Sequence, residues 1–204
     1  NVLGTCNILE FAREREVERF LYFSTDEVFG SCKDTLFKEW DRYNSGNPYS
    51  ATKAGAEELC LAYHNTYKVP IIISHSMNIF GERQHPEKFI PKVIKAVINR
   101  QQVQIYADKK GKVSGSRNYI YAEDVCKAML FILDKGRVGD KYNIGGQAEM
   151  SNIQMGWEIA NIVGKHLHYR MVAAPDVRPG NDFKYGLCDD KLRSMGFTIE
   201  GEFL

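Results

Sequence analysis

The segment VPIIISHS, residues 69–76, constrains the fold more than any other feature of the sequence. Its β-branched run lacks the polar alternation of a half-exposed strand, which is typical of a strand covered by helices on both faces. Other strand patterns and amphipathic helical patterns alternate along the chain with short connections. The strand patterns occur at 19–24, 103–106 and 141–146, and the helical patterns at 1–16, 48–67, 86–100 and 152–165. Residues 118–135 have the pattern of a short strand that runs into a helix. This alternation predicts an α/β fold with a doubly wound parallel sheet.

Charge and cysteine content argue against several functional classes. Lys plus Arg total 27 and Asp plus Glu total 26, so no charge excess indicates a nucleic-acid or anionic-membrane partner. No apolar stretch approaches the ~18 residues that span a bilayer, and residues 1–11 lack the pattern of a secretory signal. Because the cysteines are scattered singly, we expect reduced thiols, no metal site and a cytoplasmic location. These cysteines are Cys6, Cys32, Cys60, Cys126 and Cys188.

The segment YFSTDEVFG, residues 22–30, places adjacent carboxylates, Asp26 and Glu27, directly after an apolar strand pattern. One interpretation is a solvated acidic turn. The other is a pocket at the carboxyl end of a strand, where doubly wound sheets bind their ligands. Adjacent strand residues point to opposite faces, so both carboxylates reach one ligand only if the strand has already ended. Thr25 belongs to the same strand end, and residues 76–78 are expected at another.

A second candidate is the segment YSATK, in which Tyr49 and Lys53 lie four residues apart in a predicted helix and therefore share one face. A tyrosine hydroxyl has a pKa near ~10, and a nearby ammonium lowers that pKa by favouring the phenolate. Such a pair suits proton removal from an alcohol, although an ordinary surface pair has the same spacing. The same spacing recurs at Tyr106 and Lys110, where it runs from a strand into a loop, and we interpret that copy as coincidence.

Taken in order, seven segments resemble the extended short-chain dehydrogenase/reductase family. They are NVLGT, FSTDEVFG, NPYSATKAGAE, MNIFGERQHPEKFIP, SRNYIYAEDV, YNIGG and RPGNDFKY. Within that family they are most similar to nucleotide-sugar 4,6-dehydratases of the dTDP-glucose type, with the Thr-Asp-Glu triplet as the discriminating segment. The resemblance implies a Rossmann-like fold that lacks its N-terminal part and carries a small C-terminal substrate-binding lobe. It assigns approximately residues 1–80 and 118–145 to the core, and approximately 81–117 and 146–204 to the lobe.

The resemblance also implies catalytic roles. Tyr49 would take the proton of the sugar 4-hydroxyl as NAD⁺ removes hydride from C4, with Thr25 hydrogen-bonded to the same hydroxyl. Lys53 would lower the pKa of Tyr49 and hold the nicotinamide ribose. Glu27 would then remove the proton at C5 while Asp26 protonates the departing 6-hydroxyl. Hydride would return to C6 and leave a 4-keto-6-deoxy sugar.

Further binding residues follow from the same resemblance. Lys88 and Arg117 would contact the diphosphate, although both could instead be solvated surface charges. Asn143 would contact the same ligand, although it could simply end a strand. The predicted cofactor-binding residues are Tyr49, Lys53 and Ser76, and the predicted substrate-binding residues are Asn78, Glu87, Lys88, Arg117, Asn143 and Tyr185.

Two departures from the family pattern leave alternatives open. The glycine-rich turn that wraps dinucleotide phosphates is absent, so we expect that roughly the first hundred residues of the layout are missing and that the chain binds NAD poorly. His75 stands where the dehydratases usually carry arginine, which leaves the sugar and the nucleotide open. The alternatives are a 4-epimerase or UDP-glucuronate decarboxylase of the same family, or a catalytically silent nucleotide-sugar-binding fragment. The resemblance also implies a homodimer formed through the helix at 48–67 and the first helix.

Overall fold

Alternating helices and strands make up the described part of this computed structural model, residues 1–32, 35–146, 148–173 and 186–199. The helices are α1 Val2–Glu14, α2 Pro48–Tyr67, α3 Phe89–Ile98, α4 Ala122–Lys135, α5 Asn152–Val163 and α6 Asp190–Ser194. The strands are β1 Phe20–Thr25, β2 Ile71–Ser76, β3 Asn78–Phe80, β4 Val103–Ala107, β5 Ser116–Tyr121, β6 Lys141–Ile144, β7 Ala148–Ser151 and β8 Tyr169–Ala173. The predicted α/β class is confirmed.

The central sheet has the strand order β1-β2-β6, and both pairings are parallel. Every residue of β2 is buried. Ile71 and Ile73 pack in one hydrophobic cluster with residues of α1 and α2, whereas Ile72 packs in another with residues of α4. The strand is therefore covered by helices on both faces, as its unbroken β-branched run predicts.

Smaller sheets lie beside the central one in the described residues. β3 pairs in parallel with β5, β5 pairs antiparallel with β7, and β4 pairs in parallel with β8. α3 and α5 pack on these strands through a cluster that includes Val93, Ile105 and Met155. β3, β7 and β8 were not predicted, because short strands whose partners are distant in sequence carry little local signal. The residue bounds of the core and the lobe stay a prediction.

Capping and one glycine hold the elements next to the end of β1. At the start of α2, the Asn47 side chain accepts from the Ser50 backbone N–H at 3.0 Å, and Ser50 Oγ accepts in return from the Asn47 N–H. Such a capping box contributes about 1 kcal/mol to helix stability. At Gly30, φ is +79° and a Cβ atom would lie 2.4 Å from the Asn44 carbonyl oxygen, so only glycine fits this turn.

None of the helices in the described part of the chain is long and apolar enough to cross a bilayer. Within the same residues, no group of three or more His, Cys, Asp or Glu side chains is arranged to hold a metal ion.

Candidate active site

A cleft of about 560 Å³ opens at the carboxyl ends of β1 and β2, which is the position expected for ligands of a doubly wound sheet. Its volume falls within the ~300–1,000 Å³ typical of small-molecule sites. Most of the predicted site residues line it. They are Thr25, Asp26, Glu27, Tyr49, Lys53, Ser76, Asn78, Glu87, Lys88 and Arg117. Sequence positions spread over more than ninety residues therefore meet in one cavity.

The end of β1 shows whether Asp26 and Glu27 form a solvated turn or line a pocket. The strand ends at Thr25, and a 3₁₀ turn at Asp26–Phe29 follows immediately. Thr25 Oγ1 accepts from the Glu27 backbone N–H at 3.3 Å and so begins the turn. Because the turn replaces strand geometry, both Asp26 and Glu27 line the cleft instead of pointing to opposite faces. A solvated turn is excluded for Asp26, whose exposed fraction is 5%.

Asp26 keeps its proton to a higher pH than an ordinary aspartic acid. Burial raises its pKa from 3.8 to about 7, and the adjacent Glu27 adds to the rise. Its Oδ1 accepts from Thr25 Oγ1 at 3.2 Å, a contact that lowers the pKa but does not offset the burial. Oδ2 is buried and has no hydrogen-bond partner among the described residues. A buried acid with one unpartnered oxygen in a cleft is suited to donate a proton to a ligand.

Glu27 is joined to the start of α2. Its Oε2 accepts from Asn47 Nδ2 at 3.1 Å. The Oδ1 atom of the same Asn47 caps the helix that carries Tyr49. One asparagine therefore links the carboxylate turn to the helix across the cleft.

The pKa of Asp26 predicts a pH-dependent gain in stability when the charge is removed. Between pH 3.8 and about 7 the folded protein retains a proton that the unfolded chain has lost, so stability falls as pH rises through this window. Asp26→Asn removes this loss. Relative to wild type, its free energy of unfolding should therefore rise by up to roughly 3 kcal/mol between pH 5 and pH 8.

Urea unfolding of both proteins at the two pH values measures this difference. The matched control is Asp134→Asn, because the Asp134 side chain is 70% exposed and should show no such trend. An Asp26→Asn curve that runs parallel to wild type at both pH values would refute the buried, neutral state of Asp26.

Tyr49 and Lys53 line the cleft, but they interact differently from the prediction. Lys53 Nζ donates to the Phe23 carbonyl oxygen at 2.6 Å and lies 4.4 Å from the centre of the Tyr22 ring. Burial raises the pKa of Tyr49, and the carboxylates of Glu27 and Asp26 raise it further. The expectation that Lys53 lowers this pKa is therefore not met in this structure, since the ammonium is directed at β1.

Asn143 is placed differently from its predicted role. It lies within β6 with an exposed fraction of 0% and does not line the cleft. Its Nδ2 donates to the carbonyl oxygens of Phe37 at 2.9 Å and Cys188 at 3.0 Å. The carboxamide hydrogens are thus used inside the protein, and the direct contact of Asn143 with a sugar nucleotide stays a prediction. Tyr185 lies outside the described residues.

Several cleft residues were not identified from the sequence. They are Gln84, Lys92, Gln104, Tyr106, Tyr119 and Asn152, among others. Lys92 follows Lys88 by one turn of α3, so the (i, i+4) spacing of two lysines was an available signal. The spacing of Tyr106 and Lys110 was interpreted as coincidence. β4 ends before Lys110, which supports the interpretation of that spacing as coincidence, yet Tyr106 itself reaches the cleft.

Comparison with known proteins assigns the family. The model of the NAD dependent epimerase/dehydratase family matches residues 1–145. The chain belongs to this family. The resemblance inferred from the seven sequence segments is therefore confirmed at the family level.

Individual members of the epimerase/dehydratase family resemble the chain over almost its whole length. The low-salt glycan biosynthesis protein Agl12 of Haloferax volcanii is 39% identical over 203 residues, which are 100% of this chain and 64% of the relative. A Bos taurus dTDP-D-glucose 4,6-dehydratase is 37% identical over 97% of this chain and 56% of its own. The solved dTDP-glucose 4,6-dehydratase DesIV of Streptomyces venezuelae, crystallised with NAD, is 32% identical with a TM-score of 0.91, and the match covers 100% of this chain and 62% of that chain. The chain thus spans about three fifths of the length of these relatives.

The residues of this family member that fit a nicotinamide cofactor lie at one edge of the cleft. Tyr49 and Lys53 stand on the first turns of α2, and Ser76 ends β2 beside the end of β1. A hydroxyl, an ammonium and a second hydroxyl are donors suited to ribose and carboxamide oxygens. Their chemistry fits such oxygens, and their role in holding the cofactor stays a prediction.

Proposed function

We propose that the protein is an NAD-dependent nucleotide-sugar 4,6-dehydratase of the dTDP-glucose type. One observation carries the proposal. Asp26 is a buried acid with a pKa of about 7, and it adjoins the carboxylate of Glu27 in the cleft that also contains Tyr49. Elimination of water needs an acid and a base at adjacent carbons, whereas epimerisation at C4 does not. The names of the similar dehydratases support the same assignment.

The first chemical step is the removal of the proton from the sugar 4-hydroxyl by Tyr49, with Thr25 hydrogen-bonded to the same oxygen. When bound, NAD⁺ supplies the acceptor for the C4 hydride and later returns that hydride to C6. The carboxylates of Glu27 and Asp26 both oppose ionisation of Tyr49. A neutral Asp26 therefore assists this step as well, because one of the two opposing charges is then absent.

Elimination follows at the neighbouring carbons. The 4-keto group acidifies the C5 hydrogen, which Glu27 removes as a proton. Asp26 donates its proton to the 6-hydroxyl, so the C6–O bond breaks and water leaves with the oxygen. With the hydride that bound NADH would supply at C6, return of the proton from Glu27 to C5 would complete a 4-keto-6-deoxy sugar. Loss of the proton gained by Tyr49 and uptake of one by Asp26 would then reset the site.

The diphosphate of the substrate is expected at the basic side of the cleft. Lys88 precedes α3, Lys92 follows one turn later, and Arg117 lies on β5. A forked guanidinium and two ammonium groups suit a diphosphate better than a neutral ligand. Their convergence in one cavity favours ligand contact over the solvated-surface interpretation.

The experiment that tests the proposal uses the full-length protein, NAD⁺ and dTDP-glucose. The ultraviolet absorbance of a 4-keto-6-deoxy product in alkali reports turnover. A 4-epimer without a keto product would favour the epimerase, and loss of CO₂ from UDP-glucuronate would favour the decarboxylase. A silent binding domain would give neither product nor bound cofactor.

We further propose a cytoplasmic homodimer. Cys6, Cys60, Cys126 and Cys188 are free thiols, which suits a reducing compartment. On α1, the apolar side chains of Leu3, Ile8 and Phe11 are 81%, 56% and 54% exposed, and they provide an apolar face for a second copy. Sedimentation velocity of the full-length protein measures the mass, and a monomer at micromolar concentration would disprove the dimer.

A further inference from the structure

Glu57 is a buried charge for which the proposed chemistry has no use. It lies on α2 four residues after Lys53 and eight after Tyr49, so the three side chains share one helix face. Its exposed fraction is 0%. Burial of an ionised carboxylate is costly, and a buried ion pair is often no more stable than an apolar substitute. Stability therefore does not explain the buried charge of Glu57, which indicates another role.

Two successive turns of α2 hold the last residues of β1 before the catalytic turn. Lys53 Nζ donates to the Phe23 carbonyl oxygen at 2.6 Å. One turn later, Glu57 Oε1 accepts from Ser24 Oγ. Thr25, the first catalytic residue of the strand end, follows directly. Lys53 and Glu57 thus join the strand that carries the carboxylates to the helix that carries Tyr49.

The hydrogen-bond partners of His75 determine how Glu57 is held. Asn143 uses its Nδ2 hydrogens on two backbone carbonyls, so its Oδ1 is the atom that faces His75 Nδ1 at 2.9 Å. His75 Nδ1 must therefore donate. On the other side, His75 Nε2 lies 3.0 Å from Glu57 Oε2. Both ring nitrogens face acceptors, and two donors are present only in an imidazolium.

The remaining partners of Glu57 are also donors. The Tyr43 hydroxyl donates to Oε2 and accepts from Lys141 Nζ, which lies 3.6 Å from the same oxygen. Although burial opposes the charge, hydrogen bonds from His75, Ser24 and Tyr43 hold the pKa of Glu57 below its ordinary value. Every contact therefore fits an ionised carboxylate.

We propose that the buried Glu57–His75 ion pair is a positioning device, which sets the distance and orientation of the Thr25–Asp26–Glu27 turn relative to Tyr49. This inference rests on the proposed dehydratase function. The pair reaches the reacting groups through Ser24, through the backbone, and through the Phe29 ring at the end of the catalytic turn, whose centre lies 4.9 Å from that of His75. Neither member is therefore a catalytic residue. Loss of alignment by about 1 Å can lower a rate ~10²-fold. Correct alignment can therefore offset the free-energy cost of burying the Glu57 charge.

The first test compares Ser24→Ala with wild type in the full-length protein. This variant cuts the link between Glu57 and β1 but leaves the contacts of Glu57 with His75 and Tyr43 in place. We expect kcat to fall about 10-fold, KM to change less than about 3-fold and the melting temperature to remain within a few degrees. The matched control is Glu10→Gln, because Glu10 also accepts from an α2 hydroxyl, that of Tyr63, and neither of these residues lines the cleft.

A second variant, Glu57→Gln, replaces the carboxylate with a neutral group of the same size. We expect a decrease in kcat of about 100-fold with KM nearly unchanged. A purely structural role gives the opposite pattern for both variants, a lower melting temperature with kcat unchanged, and that pattern would overturn the proposal. A decrease in kcat of Glu10→Gln as large as that of Ser24→Ala would also overturn the proposal.

Nitrogen NMR of the ¹⁵N-histidine-labelled protein provides a test that needs no turnover. Both ring nitrogens of His75 should show the shifts of protonated nitrogens, and Glu57→Gln should abolish this pattern. A neutral tautomer in the wild type would overturn the ion pair even if the enzyme is an active dehydratase. Conversely, an inactive wild type with an imidazolium at His75 would refute the proposed function and leave the ion pair intact.

Discussion

The double variant Asp26→Asn, Glu27→Gln is expected to lower formation of the 4-keto-6-deoxy product by at least ~10³-fold. Both substitutions keep the size of the side chain. The amide at position 26 has no proton to give to the leaving hydroxyl, and the amide at position 27 cannot accept the C5 proton. Because each group acts in the elimination step, the loss should exceed that of a single acid or base.

Oxidation at C4 should survive in this double variant, since Tyr49 is intact. Mixing the variant with substrate should therefore give NADH absorbance that persists instead of decaying, because no C6 acceptor forms. A 4-epimerase or decarboxylase would be almost unaffected by the two changes. Product formation within about 10-fold of wild type would consequently exclude the dehydratase mechanism.

The second large effect is expected for Tyr49→Phe. This change removes the hydroxyl that takes the proton from the sugar 4-hydroxyl but keeps the ring and its packing. We expect a fall in kcat of ~10²–10⁴-fold, and here NADH should not appear, because oxidation itself is blocked. The two variants therefore stop the reaction on different sides of the keto intermediate.

Tyr67→Phe is the matched control for this experiment. Tyr67 stands at the far end of the same helix, and its exposed fraction of 51% is nearly that of Tyr49, at 50%. It should retain wild-type kcat and KM. Transient NADH formation at the normal rate in Tyr49→Phe would show that another group takes the proton, and Tyr49 would lose its assigned role.

Burial raises the pKa of Asp26, and this has opposite consequences for activity and for stability. Asp26→Asn alone should lose activity yet gain stability above pH 7, which is the opposite of what is expected for a residue selected for folding. The active site therefore retains a destabilising group at the end of a buried strand. We therefore assign a functional role to this carboxyl, which is 5% exposed and whose Oδ2 has no hydrogen-bond partner among the described residues.

The sequence by itself determined the strands of the central sheet, the longer helices and the end of the sheet where ligands bind. The unbroken apolar run of 69–76 predicted a strand covered on both faces, because periodicity is a local property that burial imposes on a chain. Ligands of such sheets bind at the carboxyl ends of strands, and the Thr25–Glu27 triplet and Ser76 were predicted at two such ends; both line the cleft. The spacing of Tyr49 and Lys53 was likewise sufficient to place them on one helix face.

The tertiary structure alone decided the electrostatics and the partners of individual side chains. Nothing local in the sequence shows that Lys53 donates to the Phe23 carbonyl oxygen. Nor does the local sequence show that Asn143 Nδ2 donates to the carbonyl oxygens of Phe37 and Cys188. The pKa of Asp26 likewise depends on the number of atoms from distant segments that exclude water around it. Desolvation and hydrogen-bond geometry are sums over neighbours in space, and neighbours in space are known only once the chain has folded.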